Sequence, residues 1–109
     1  MLLLFLLLQS ANAPAGQQPS RPRGIFSAND YPAEAVRKHW EGTAVADLTI
    51  DPQGHVSACQ IIQSTGHKVL DDATCDLITK RAMFDPKIGP DGKPTERKFT
   101  TPPIAWRLP

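Results

Sequence analysis

Neither sign of charge is in excess in this sequence: 12 basic residues stand against 11 acidic ones, a net of +1. A nucleic-acid-binding domain normally carries a clear basic surplus, so nucleic acid is disfavoured as a partner. Long hydrophobic runs are missing too. The longest, residues 2–8 (LLLFLLL), falls far short of the roughly 20 residues a helix needs to cross a bilayer, which argues against a permanent anchor there. The histidines are few and scattered. His39, His55 and His67 fall one to a segment, with no ligand spacing among them or with the cysteines, so no metal site is expected. There is no Cys-x-x-Cys, no Gly-rich phosphate loop, and no nucleophile elbow around Ser64 and His67. Asp71 and Asp72 are adjacent and would diverge on a helix, so they do not make a pair of catalytic acids. With these features gone, an enzyme, a cofactor and a small-molecule substrate are all unexpected, and an interaction module remains.

Proline is plentiful, with 11 copies concentrated near the two ends, where irregular or extended backbone suits it. Residues 1–15 read as a signal peptide, a compact apolar run followed by Ala13 and Ala15, which place a small-x-small cut before Gly16. Residues 16–29 read as a flexible leader, being rich in Gly, Pro, Gln, Ser and Arg and without either period. Residues 30–109 hold one small domain, expected in an oxidising compartment after export.

Residues 41–66 organise that domain as a β-hairpin. Ala44, Ala46, Leu48 and Ile50 share one face, and Thr43, Val45, Asp47 and Thr49 share the other, the period of two of a half-buried strand. Asp51-Pro52-Gln53-Gly54 supplies the turn, and residues 56–62 the return arm. Before the hairpin, residues 30–40 predict a short helix, with Ala33, Val36 and Trp40 as its apolar positions. After it, residues 68–81 predict the main helix, acidic at its start and basic at its end. Leu70, Ala73, Leu77 and Phe84 form one apolar stripe, and Cys75, Ile78 and Ala82 a second beside it. Residues 85–93 are loop-forming, and residues 94–108 are extended, broken by Pro102 and Pro103 and best placed at a sheet edge. Two cysteines in an exported chain suggest one structural disulfide, Cys59 to Cys75, tying the return arm to the main helix; a redox-active pair is the weaker alternative.

Taken in order, Tyr31-Pro32-Ala33-Glu34-Ala35, Glu41-Gly42-Thr43-Ala44-Val45, Asp51-Pro52-Gln53-Gly54-His55-Val56, Ser64-Thr65-Gly66, Leu70-Asp71, Phe84-Asp85-Pro86 and Pro103-Ile104-Ala105-Trp106 resemble the C-terminal domain of the TonB energy-transducing proteins over about residues 30–108. The cysteine pair resembles a subset of that family. The resemblance implies an α+β fold, a three-stranded antiparallel sheet packed against a main helix, with a short N-terminal helix. It further implies a periplasmic domain that binds the TonB box of outer-membrane receptors as a strand added beside its own last strand. Carried over, the partner-binding residues are Phe99, Thr100, Thr101, Ile104, Ala105, Trp106, Arg107 and Leu108, with Asp30 and Tyr31 nearby. Asp30 replaces the glutamine of the best-known member, Pro102 removes a backbone donor from the docking edge, and the family's transmembrane helix and Pro-rich spacer are not expected ahead of the domain. The expectation is a stand-alone, non-catalytic domain that aids envelope transport by holding a receptor peptide or another envelope protein. The alternative is a structural or assembly protein of the envelope that uses the same domain to form a homodimer or to hold a partner.

Overall fold

A computed structural model describes residues 25–109; the expected signal peptide and the leader as far as residue 24 lie outside the described residues. In chain order the elements are a 3-10 turn (Ala28–Asp30), α1 (Ala33–Arg37), β1 (Gly42–Ile50), β2 (Val56–Gln63), α2 (Lys68–Arg81), β3 (Lys87–Ile88), β4 (Pro94–Thr95), β5 (Arg97–Thr100) and β6 (Ile104–Trp106).

Strand β1 is the centre of the sheet. Its alternation buries Ala44, Ala46, Leu48 and Ile50 almost completely, and burying Leu48 and Ile50 contributes roughly 1.5–3 kcal/mol each. On one side β2 returns antiparallel, with Ala46 opposite Ile61, Leu48 opposite Cys59 and Ile50 opposite Val56. The turn between them is drawn tight by the Asp51 carboxylate, which accepts the N–H groups of Gln53 and His55, both at 2.9 Å. Gly54 closes it with φ +94°, and its backbone lies so close to Phe84 that a Cβ would collide with the Phe84 carbonyl oxygen. No other residue meets both demands.

The other side of β1 is occupied by one strand position in two pieces. β5 pairs with residues 47–50 and β6 with residues 42–44. Between them Thr101 spans the break: its N–H donates to the Ala46 carbonyl at 2.9 Å, and its hydroxyl accepts the Ala46 N–H at 3.0 Å. The expected break at Pro102 and Pro103 is therefore present. The sheet has three strand positions, with β1 in the middle.

Helix α2 covers the apolar face of this sheet, burying Leu70, Leu77 and Ile78 along with Thr74, which the apolar stripes did not include. Ala82 just beyond it is buried, and Phe84 meets Phe99 with ring centroids 5.4 Å apart. At the start of α2, Asp71 organises the preceding loop as well as facing the helix dipole. Its carboxylate accepts from the Ser64 hydroxyl at 2.5 Å, the Thr65 N–H at 2.9 Å and the Thr65 hydroxyl at 2.8 Å. Burial pushes the Asp71 carboxyl up, but these donors outweigh it and hold the group below its ordinary value.

Three expectations need correcting. The helix expected over residues 30–40 is only five residues long: Pro32 caps it instead of opening it, and His39 adopts φ 56°, which ends it. Its buried residue is Ala35, while Val36 is 43% exposed. Trp40 lies outside the helix and stacks on His67, ring centroids 4.6 Å apart. The flexible leader does not extend to residue 29, because Ile25 is buried in the core and Phe26 packs against both core clusters. Finally, residues 85–93 are not all loop; β3 pairs with β4 in a small separate hairpin.

Cys59 and Cys75 are bonded, joining the middle of β2 to the middle of α2 across 16 residues. Replacing both by serine should lower the unfolding free energy by about 3 kcal/mol, the chain-entropy value for such a loop. Urea denaturation of the two proteins measures it, and equal midpoints would show that packing alone holds β2 to the helix.

Candidate functional site: a groove along the last strands

Residues of β5, β6 and the break between them line an apolar groove of about 660 Å³. One wall is the strand pair and the break between them, with Phe99, Thr101, Pro102, Pro103, Ile104, Ala105 and Arg107. The other wall is the N-terminal segment, with Ile25, Phe26, Ser27, Ala28 and Tyr31. Leu48, Ile78, Ala82, Phe84 and Trp106 complete the lining from the core side.

Trp106 joins the two walls. It is 5% exposed, and Phe26 and Tyr31 meet its ring edge-on at centroid distances of 5.9 and 5.2 Å. Its indole N–H is buried and donates to the Thr74 hydroxyl at 2.8 Å; that hydroxyl in turn donates to the Leu70 carbonyl at 2.8 Å. The Tyr31 hydroxyl donates to the Trp40 carbonyl, which holds the tyrosine in place. Burial, reinforced by the negative charge of Glu41, pushes the Tyr31 hydroxyl pKa up.

Seven of the ten residues expected to meet a partner line this groove: Tyr31, Phe99, Thr101, Ile104, Ala105, Trp106 and Arg107. Three do not. The Thr100 hydroxyl donates to Asp47 at 2.6 Å on the open face of the sheet, and the Leu108 N–H donates to Glu41 at 2.7 Å. Asp30 is held by Arg81, 2.7 Å from Nη1 and 2.9 Å from Nη2, with its side chain 12% exposed. The Arg81 bonds first, then the Ser27 N–H, lower its pKa from 3.8 to about 2. Sequence reasoning missed Ile25, Phe26 and Ala28, which carry no period, and Phe84, which had been placed only as a core stripe residue. Among the described residues no group of three or more His, Cys, Asp or Glu is placed to hold a metal ion.

These features define a small α+β domain that presents an open sheet edge beside an apolar groove. Residues 27–108 match the family of Gram-negative bacterial TonB protein C-terminal domains, and the chain belongs to that family. Over 81 residues it is 33% identical to Protein tonB2 of Pseudomonas aeruginosa, a match that covers 74% of this chain and 29% of that protein. The chain thus spans less than a third of that relative's length.

Two outcomes test the groove's construction. Thr74→Val removes the acceptor while keeping the shape, leaving the Trp106 N–H buried and unpaired; it should cost about 1–3 kcal/mol in urea denaturation. An unchanged midpoint would mean that the indole finds another acceptor. The second concerns pH. A carboxyl whose folded pKa is lowered to about 2 adds stability that is fully present above its ordinary value of 3.8 and fades as pH falls from 4 towards 2. The stability gap between the native chain and Asp30→Asn should therefore shrink over that window. A gap that stays constant between pH 7 and pH 2.5 would show that the Arg81 pair does not set it.

Proposed function

We propose that this domain works in the periplasm in transport across the cell envelope, taking up an extended segment of an outer-membrane receptor or other envelope protein in the groove beside β5 and β6. The observation that carries this reading is the free strand edge. Among the described residues β5 and β6 have a strand neighbour only on the β1 side, and residues of both strands line the apolar groove. An added strand gains main-chain hydrogen bonds from such an edge and side-chain specificity from the pockets next to it. Pro102 and Pro103 offer no N–H, so the ladder is confined to the four residues of β5 or the three of β6. Side-chain burial then supplies most of the affinity. A disulfide suits an oxidising compartment, and no helix among the described residues is long and apolar enough to cross a membrane. The relationship to Protein tonB2 supports transport as the setting.

Titrating TonB-box peptides into the isotope-labelled chain tests the reading. Amide shifts concentrated at residues 97–108 and along residues 26–28 are expected. An absence of shifts at millimolar peptide would overturn receptor binding and favour an assembly role, with the domain pairing with itself.

A further inference from the structure

Arg81 ends α2, yet its guanidinium is spent on the N-terminal segment. Nη1 donates to the Ile25 carbonyl at 2.8 Å and to Asp30 Oδ2 at 2.7 Å, while Nη2 donates to Asp30 Oδ1 at 2.9 Å. The partners are 51 and 56 residues away in sequence. Asp30 reaches back along its own segment, accepting the Ser27 N–H at 2.8 Å and the Ser27 hydroxyl at 3.1 Å. One planar fork thus secures both ends of residues 25–30, a geometry that arginine alone among the cations can supply.

Apart from the fork, the segment is held by apolar packing and a short turn. Its only regular structure is a three-residue 3-10 turn, and its apolar anchors are Ile25 in the core and Phe26 against Trp106. Residues 25–28 nonetheless make the groove wall opposite β5 and β6. A groove with one rigid wall and one loose wall would have to order the loose wall each time a partner entered, and that ordering would subtract from the binding free energy.

Resting on the reading that the groove takes an added strand, we infer that Arg81 and Asp30 are positioning residues for it: their clamp fixes residues 25–28 as the second wall, and the groove holds its partner tightly only while the clamp is made. The clamp also defines the partner. The Asp30 carboxylate is engaged by Arg81 and Ser27, so it does not serve as a contact for a basic side chain. The lining left to meet the partner is mainly apolar, with Phe26, Phe99, Pro102, Pro103 and Ile104, and Arg107 beside them. The matching ligand is an extended peptide whose inward, alternate side chains are apolar.

Three variants of the full chain decide it: Arg81→Gln and Asp30→Asn, which abolish the fork, and Arg81→Lys, which keeps the charge but not the bidentate geometry. Without any peptide, heteronuclear NOE and amide shifts of residues 25–28 should show the wall loosened in the first two and partly loosened in the third, while signals of β1 and α2 stay in place. With an extended apolar peptide, the dissociation constant should rise about tenfold for the first two and less for Arg81→Lys. Wall amides as rigid as in the native chain, or peptide affinity equal to it, would overturn the inference. If the native chain binds no peptide, the functional reading fails by itself, and the wall measurements still decide whether the clamp exists. Should Arg81→Gln not fold, Asp30→Asn and Arg81→Lys give the same readouts.

Discussion

The indole N–H of Trp106 is a donor buried where water does not reach it, and leaving it unpaired would cost about 1–3 kcal/mol. Much of the domain is arranged around that requirement. The acceptor is a threonine in the middle of α2, so the rotational setting of the helix on the sheet is fixed by one hydroxyl as well as by Leu70 and Leu77. The same tryptophan sits opposite Gly42 at the start of β1, where a Cβ would collide with Thr65, and so it also fixes the register of the final strand. Phe26 and Tyr31 close on its ring edges and bring the N-terminal segment in. Helix, central strand, last strand and N-terminal segment therefore meet at one side chain.

That convergence explains how an edge strand can stay open. Exposed edges invite unwanted pairing, and proteins blunt them with basic residues, prolines and short strand lengths. All three devices are present here, in Arg97 and Lys98 of β5, Pro102 and Pro103 after it, and the division into pieces of four and three residues. Trp106 and Thr101 meanwhile keep both pieces fastened to β1 from the inside. Such an edge is stable without a neighbour, and the proposed function asks it to accept one whose side chains fill the groove.

What could be read from the sequence was whatever repeats locally. The hairpin was legible because Ala44, Ala46, Leu48 and Ile50 alternate with more polar residues and because Asp51-Pro52-Gln53-Gly54 has turn chemistry. The main helix was legible from its apolar spacing and charge asymmetry, and the break in the last strand from its two prolines. The losses have a common cause. Thr74 resembles a solvent-facing helix residue and is buried only because a tryptophan 32 residues later needs an acceptor. Ile25 and Phe26 sit in a Pro- and Arg-rich stretch, and two apolar residues establish no period. Asp30 was legible as being near the site but not as being engaged, since its partner lies 51 residues away. Val36 and Trp40 had helical spacing, but His39 leaves the helix between them.

The long-range ties of the domain are of different kinds on the two sides of the sheet, and this division bears on how a partner could enter. The disulfide fastens β2 to the middle of α2, covalently and away from the groove. The groove side has only hydrogen bonds and packing: the Trp106 indole, the Thr101 bridge and the Arg81 fork. β1 already has neighbours on both sides, so a partner cannot displace either without breaking the core that Leu48 and Ile50 share with α2. A partner strand could instead extend the sheet beyond β5 and β6, or beyond β2, whose outer side also lacks a strand neighbour among the described residues. Extension at β5 and β6 leaves Trp106 and Ile104 pointing inward as they are, and it asks the N-terminal wall to remain in place beside the added strand. Under the proposed reading, binding by this route demands no opening of the core, and its selectivity would rest on how well the wall held by Arg81 matches the side chains that arrive.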